Sequence, residues 1–281
     1  MKHRPVRGRK ALDATVKGLS VTAALTGIFF LGWILAVVIA RGASALGWNF
    51  FTRLPVPPGI AGGGLANAIL GTLMITGLAT AIGVPIGLLS GIYLAEFGRT
   101  TRLGSTVRFV VNVLVGIPSI IVGLFVYTVL VLPVGHFSGY AGAVALAVIM
   151  LPVVARTSED MLTLVPNALR ESALALGAPR FKVTLGVVFR GARAGLLTGV
   201  LLAVARVSGE TAPLLFTSLN SPYWPDLSKA TPNLTVSVFN YAMSPYPDWQ
   251  KAAWGASLLI ALGVLGLTLV TRLLVRERKR T

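Results

Sequence analysis

Apolar positions along this chain come in long blocks, and the polar residues gather between them. Six stretches are long and apolar enough to cross a bilayer: roughly 19–40, 66–95, 107–132, 140–156, 194–218 and 253–274. A hydrocarbon core of about 30 Å takes about 20 helical residues. Inside it every backbone N–H and C=O must be satisfied within the segment, so each stretch is predicted as a helix. The second is long and is expected to tilt or to extend past the bilayer. The fourth is short and is expected to run on into the polar stretch after it. The fold class that follows is all-α: a polytopic membrane protein with about six transmembrane helices in one domain, 19–274, between short ends at 1–18 and 275–281.

Small residues recur at every fourth position in two of these blocks. Ala79, Gly83, Gly87 and Gly91 form one row, and Gly191, Gly195, Gly199 and Ala203 form another. Such rows let helix backbones approach closely in lipid. Continued by steps of three and four, the second row reaches Arg206 and then Glu210, which places both on the face that meets protein or a cavity.

Composition agrees with a membrane chain: 54% of the residues are hydrophobic and 12% charged, about half the charged share of a soluble domain. The net charge of +16 is a matter of placement. With the N-terminus inside, 20 of the 25 Lys and Arg fall in inside segments and four outside, and Arg206 is the remaining one. Cytoplasmic loops carry this excess, so both termini are expected in the cytoplasm of a plasma (inner) membrane, and no nucleic-acid partner is needed to explain the charge. The first apolar run, about 20 residues, exceeds the 7–15 of a signal sequence, so a retained anchor is expected. With no Cys, and only His3 and His136 as histidines, disulfides and thiolate sites are excluded. No metal site and no cofactor are expected.

Arg206 and Glu210 sit in the middle of LLAVARVSGETAPLLF, residues 201–216. An Arg at the bilayer centre costs roughly 2.5–3.5 kcal/mol on insertion scales. An opposite charge four residues on reduces that cost without removing it. Pro213 takes the helical partner from the carbonyl of Gly209, so a kink is predicted there. Two readings of the residues stand: an ion pair that locks helices together, or an oxyanion-handling pair on a transport path. The guanidinium suits the second, because its planar fork matches two oxygens and stays charged when buried.

The chain has no Gly-Lys pair, so it cannot hold ATP by a P-loop. A stand-alone ion-coupled carrier of an oxyanion would want more intramembrane carboxylates and an inverted repeat. A membrane enzyme acting on lipid phosphates would want a nucleophile, base or metal cluster. Neither set is visible. The inside segment 157–193 predicts two short helices around a tight turn: Asn167 as cap, a helix through Ala168–Leu176, Gly177 as its stop and Pro179 as the next start.

In that segment ESALALGAPRFKVTLGVVFR resembles the EAA loop of ABC-type import permeases. Glu171, Ala173 and Gly177 match, and Val187 stands at the Ile position. Ser172, Phe189 and Arg190 depart from the pattern. GIPSIIVGLF, LPVVARTSEDML, ARVSGETAPLLFT and FNYAMSPYPDWQKAAWGA resemble, more narrowly, the PstA family of phosphate-importer permeases, from about residue 60 to the last helix. The resemblance implies a non-catalytic membrane subunit of an ATP-driven phosphate importer. It implies four kinds of partner: a paralogous PstC-like permease, ATPase subunits that receive the EAA-like loop, an extracytoplasmic phosphate-binding protein, and phosphate itself. On that basis Arg206 and Glu210 belong to the substrate path, and Glu171, Ala173 and Gly177 to the ATPase coupling loop. The outside segment 219–252, with Tyr223, Trp224, Tyr246 and Trp249, is either the face that meets the binding protein or an aromatic belt at the membrane interface.

Overall fold

In a computed structural model the described residues, 6–60 and 62–277, are mostly helical, with no strand among them. Lys2 and Arg4 at one end, and Arg278, Lys279 and Arg280 at the other, lie outside the described residues. The first helices are α1 (Val6–Gly42), α2 (Trp48–Thr52), α3 (Ala66–Ile92), α4 (Arg102–Gly116), α5 (Ser119–Val126) and α6 (Leu132–Val134). There follow α7 (Gly139–Thr163), α8 (Asn167–Ala175), α9 (Arg180–Val183), α10 (Phe189–Val207), α11 (Ala212–Thr217), α12 (Leu234–Ala242) and α13 (Pro247–Glu277). Single π-helical turns, Tyr93–Phe97, Tyr127–Val131 and Thr184–Val188, extend or join them.

The bundle is built around α7, the most buried of the long apolar helices. Ser138 starts it by accepting from the Ala141 N–H at 3.1 Å. On one side α7 meets the first small-residue row. A Cβ on Gly87 would stand 2.7 Å from that of Val154, and one on Gly91 would stand 2.5 Å from that of Ser158. Higher numbers in α3 meet higher numbers in α7, so the two helices run parallel. On another side α7 meets the second row in the opposite sense: Gly191 faces Val165, Gly195 faces Met161 and Gly199 faces Thr157. Ala79, Met150, Val154, Ala203 and Val207 close the shared core. α1 is largely exposed and joins the bundle near its end, where Gly42 abuts the Trp254 carbonyl and Arg41 stacks 5.2 Å over the Trp254 ring.

Two expectations from the sequence change. The third span is not one straight helix: α4 and the α5–α6 stretch, Arg102–Gly116 and Ser119–Val134, are bent by 104° at a short break. Pro118 cannot donate an N–H and holds Ile117 extended (ψ 130). The fifth span ends at Val207. Ser208 and Gly209 form a turn, and Pro213 starts α11 rather than kinking a continuous helix. Proline is tolerated in a first turn because its missing N–H has no helical partner there. Among the described residues five helices are long and apolar enough to cross a membrane, and six if the bent pair counts as one span.

Outside the bundle the loop after α11 is stitched down by side-chain amides. Asn67 donates to the Ser221 and Tyr223 carbonyls at 3.0 and 3.1 Å. Asn233 caps α12 through Val236 N–H and donates to Ser218 Oγ and the Leu219 carbonyl, both at 3.1 Å. Leu219 needs that hold, since its φ of 56° is strained for a residue with a side chain. Trp249 stacks on Tyr241 at 4.6 Å and donates to the Val56 carbonyl, while Tyr223, Trp224 and Tyr246 are exposed.

Candidate functional site

The break between α4 and α5 opens a cleft of about 160 Å³ against α7 and the end of α10. Ile117, Pro118 and Ser119 form its elbow, Ile149 and Val153 its wall on α7, and Arg206 and Glu210 its charged side. Ile149 and Val153 lie near the middle of the 25-residue α7, so the cleft is at mid-depth of the bundle. Gly123 of α5 presses on Pro213, where a Cβ would stand 2.6 Å from the proline Cα. That contact seats the segment carrying Glu210 beside the elbow.

The two charged residues share the cleft without pairing. Among the described residues no carboxylate lies within 4.0 Å of the Arg206 guanidinium, and neither side chain is hydrogen-bonded. The expectation of a helical ion pair therefore fails. Helix α10 stops at Val207, so a spacing of four residues no longer stacks Arg206 and Glu210 one turn apart. The backbone carbonyl of Glu210 is held by Thr235 Oγ1 at 2.9 Å. Arg206 is also off the small-residue face, since Ala203 and Val207 are buried against the core while Arg206 is exposed toward the cleft. A free guanidinium beside the first turn of α5, whose unpaired N–H groups carry partial positive charge, favours an anion. Ser119 adds a hydroxyl at the same edge. The elbow was missed in the sequence, although Gly116 and Pro118 inside an apolar block mark it.

A second candidate region lies at the C-terminal end of α7. From Ile149 to Leu162 is roughly 20 Å along the helix at 1.5 Å per residue. There α8 carries Glu171 on its exposed surface, and Ala173 packs half-buried against the cluster of Ala95, Leu162 and Val165. Gly177 ends the helix at φ +79. Its N–H bonds to the Leu174 carbonyl at 2.9 Å and the Ala178 N–H to that of Ala173 at 3.2 Å, a Schellman arrangement that needs a left-handed residue at this place. Asn167 is the first residue of α8 rather than its cap, because Pro166 takes the capping position.

Two ion-pair groups lie near these ends. Arg108 of α4 reaches the buried Glu159 of α7 at 2.8 Å. The second oxygen of Glu159 has Arg156 at 3.9 Å, too far for a hydrogen bond. Arg170 of α8 meets Glu96 at 2.8 Å. The Arg108–Glu159 and Arg170–Glu96 pairs were not legible in the sequence, since their members lie far apart in the chain and on different elements.

Residues 83–279 match the family model described as "Binding-protein-dependent transport system inner membrane component". The chain is 47% identical over 262 residues to the "Phosphate transport system permease protein PstA" of Yersinia pestis, covering 93% of this chain and 89% of that one. It is 37% identical over 283 residues to PstA 1 of Mycobacterium tuberculosis (strain CDC 1551 / Oshkosh), with 97% and 92% covered. Among solved structures it resembles a chain of the MetNI methionine ABC transporter in an inward-facing form (TM-score 0.64, 23% identity, 76% of this chain and 95% of that one). It also resembles a chain of a bacterial ABC transporter that imports the polysaccharide alginate (TM-score 0.66, 15% identity, 96% and 99%).

Proposed function

The chain belongs to the family of binding-protein-dependent transport system inner membrane components, and from that premise we propose that it forms part of the membrane path of an ATP-driven importer of inorganic phosphate. The observation that carries the substrate is the near full-length identity to phosphate permeases of bacteria. The cleft supports it chemically. An unpaired guanidinium, a helix N-terminus and a hydroxyl meet at mid-depth, where an oxyanion needs replacements for the water it sheds. Arg206 takes oxygens of the anion through its fork, and Glu210 accepts from a proton-bearing oxygen. An open cleft on one subunit is half of a path. A paralogous PstC-like permease supplies the other wall, ATPase subunits dock on the face carrying Glu171, Ala173 and Gly177, and an extracytoplasmic phosphate-binding protein delivers the substrate. ATP hydrolysis resides on the separate ATPase subunits, and both termini are cytoplasmic.

The experiment is uptake of labelled phosphate per assembled complex. Removing a hydrogen-bonded charge costs about 1.5–3 kcal/mol, so Arg206→Gln should lower uptake by about tenfold to a hundredfold while the complex accumulates normally. Arg206→Lys keeps the charge, loses the two-pronged geometry and should restore little. Wild-type uptake in Arg206→Gln would remove Arg206 from the path.

A further inference from the structure

We propose that Arg170 is the joint by which the coupling helix α8 moves the two central transmembrane helices, a positioning residue rather than part of the substrate path. The inference rests on the reading of this chain as an ATP-driven importer subunit. Its basis is how α8 is attached. No residue of α8 is buried, and Leu169, Leu174 and Leu176 face outward. Only Ala173 leans on the apolar cluster beneath. A helix held so lightly by apolar contact would slide under load unless something else fastened it.

Arg170 is that fastening. Its side chain is 11% exposed and faces Glu96, 10% exposed, in the π turn that ends α3. A guanidinium has five N–H donors, and each has an acceptor here. Nε donates to Glu96 Oε1 at 3.1 Å, and Nη2 to Glu96 Oε1 at 2.8 Å and to the Leu162 carbonyl at 2.7 Å. Nη1 donates to the Val165 carbonyl and to Asn167 Oδ1, the latter at 3.2 Å. The Leu162 carbonyl belongs to the last turn of α7, where it also accepts from the Val165 N–H at 3.3 Å, and the Val165 carbonyl to the turn just beyond it. One side chain thus ties α8 to the ends of α3 and α7, which are themselves packed in parallel through Gly83, Gly87 and Gly91. A displacement of α8 by a docked ATPase is carried to both helices together, and along them to the wall of the cleft.

A guanidinium bound on all sides could instead be a static anchor, and the two roles separate by measurement. In proteoliposomes holding the whole transporter, one measures the ATPase rate with and without phosphate-loaded binding protein, and phosphate moved per ATP, both per assembled complex. For Arg170→Gln the complex should assemble and keep its basal ATPase rate. Stimulation by the binding protein and phosphate moved per ATP should each fall by about tenfold, within the range of a single coupling free energy. Arg170→Lys, which can reach Glu96 but has three N–H donors in place of five, should fall between. Normal stimulation and stoichiometry in assembled Arg170→Gln would overturn the proposal. If that variant does not assemble, Glu96→Gln decides, because it leaves the carbonyl contacts of Arg170 in place and weakens only the tie to α3. It must lose stimulation, and normal stimulation there would overturn the proposal instead. A wild-type complex that moved no phosphate with ATP would refute the functional reading itself, an outcome distinct from wild-type coupling that Arg170→Gln fails to disturb.

Discussion

Among the described residues Arg206 has no carboxylate in ion-pair reach, so its charge is available to whatever enters the cleft. That changes what Glu210 should do. A broken buried pair costs several kcal/mol, but Glu210 is half-buried and unpaired, so Glu210→Gln should leave the amount of assembled complex unchanged. Phosphate uptake per complex should fall about fivefold, because Gln still accepts from the proton-bearing oxygen but without the charge, a difference of about 1 kcal/mol. A collapse of assembly, read by co-purification of the ATPase, would mean Glu210 holds the fold. Both residues were legible in the sequence because charge inside an apolar block is rare. Their geometry was not. It depends on where α10 stops, and that is decided by Ser208, Gly209 and the new start at Pro213. The Arg170–Glu96 contact was out of reach for another reason: its members are 74 residues apart, and nothing local to either predicts the other.

At the scale of elements, glycines divide by what they touch. A side chain at Gly91 would meet Ser158 and the Ala155 carbonyl, whereas nothing lies within 4 Å of a Cβ on Gly77 in the same helix. Overpacking of this kind costs about 1–3 kcal/mol. Gly91→Leu should therefore sharply reduce folded protein, measured as monodisperse yield in detergent, and Gly77→Leu should match wild type. The small-residue row was readable as a packing face, though not which helix it meets. Gly177 works differently: its Cβ would enter open space, so only its left-handed backbone is at stake. Gly177→Val should cost about 1 kcal/mol or more in the α8 turn. Membrane insertion should persist while ATPase co-purification falls, and Gly177→Asn, which tolerates this conformation, should retain it. Equal co-purification by all three forms would make α8 a plain surface helix. The glycine stop could be read from one local stretch. The broken third span could not be settled that way, since a Gly and a Pro in an apolar block fit either a mild kink or a 104° elbow.

For the whole molecule, the parallel packing of α3 and α7 constrains the path of the chain. To enter both helices from the same side, the chain must cross back between them, and the bent α4–α5 pair is the segment available. Counted as one span, it makes six with α1, α3, α7, α10 and α13, an arrangement that would put both ends on one side. Reporter fusions at Lys10, Arg102 and Arg180 should then read cytoplasmic, and those at Pro57, Phe137 and Asp226 external. A reproducible inversion at any interior loop would remove the six-crossing arrangement. The elbow itself has a mechanical meaning. One arm, α4, is tied to α7 through Arg108 and Glu159. The other arm, α5, is wedged against Pro213 of α11 beside the cleft. A straight rod would carry any push along its whole length. A segment bent by 104° leaves its two arms fastened to different partners, α4 to Glu159 of α7 and α5 to Pro213 of α11, so a shift of one partner need not pass in full to the other.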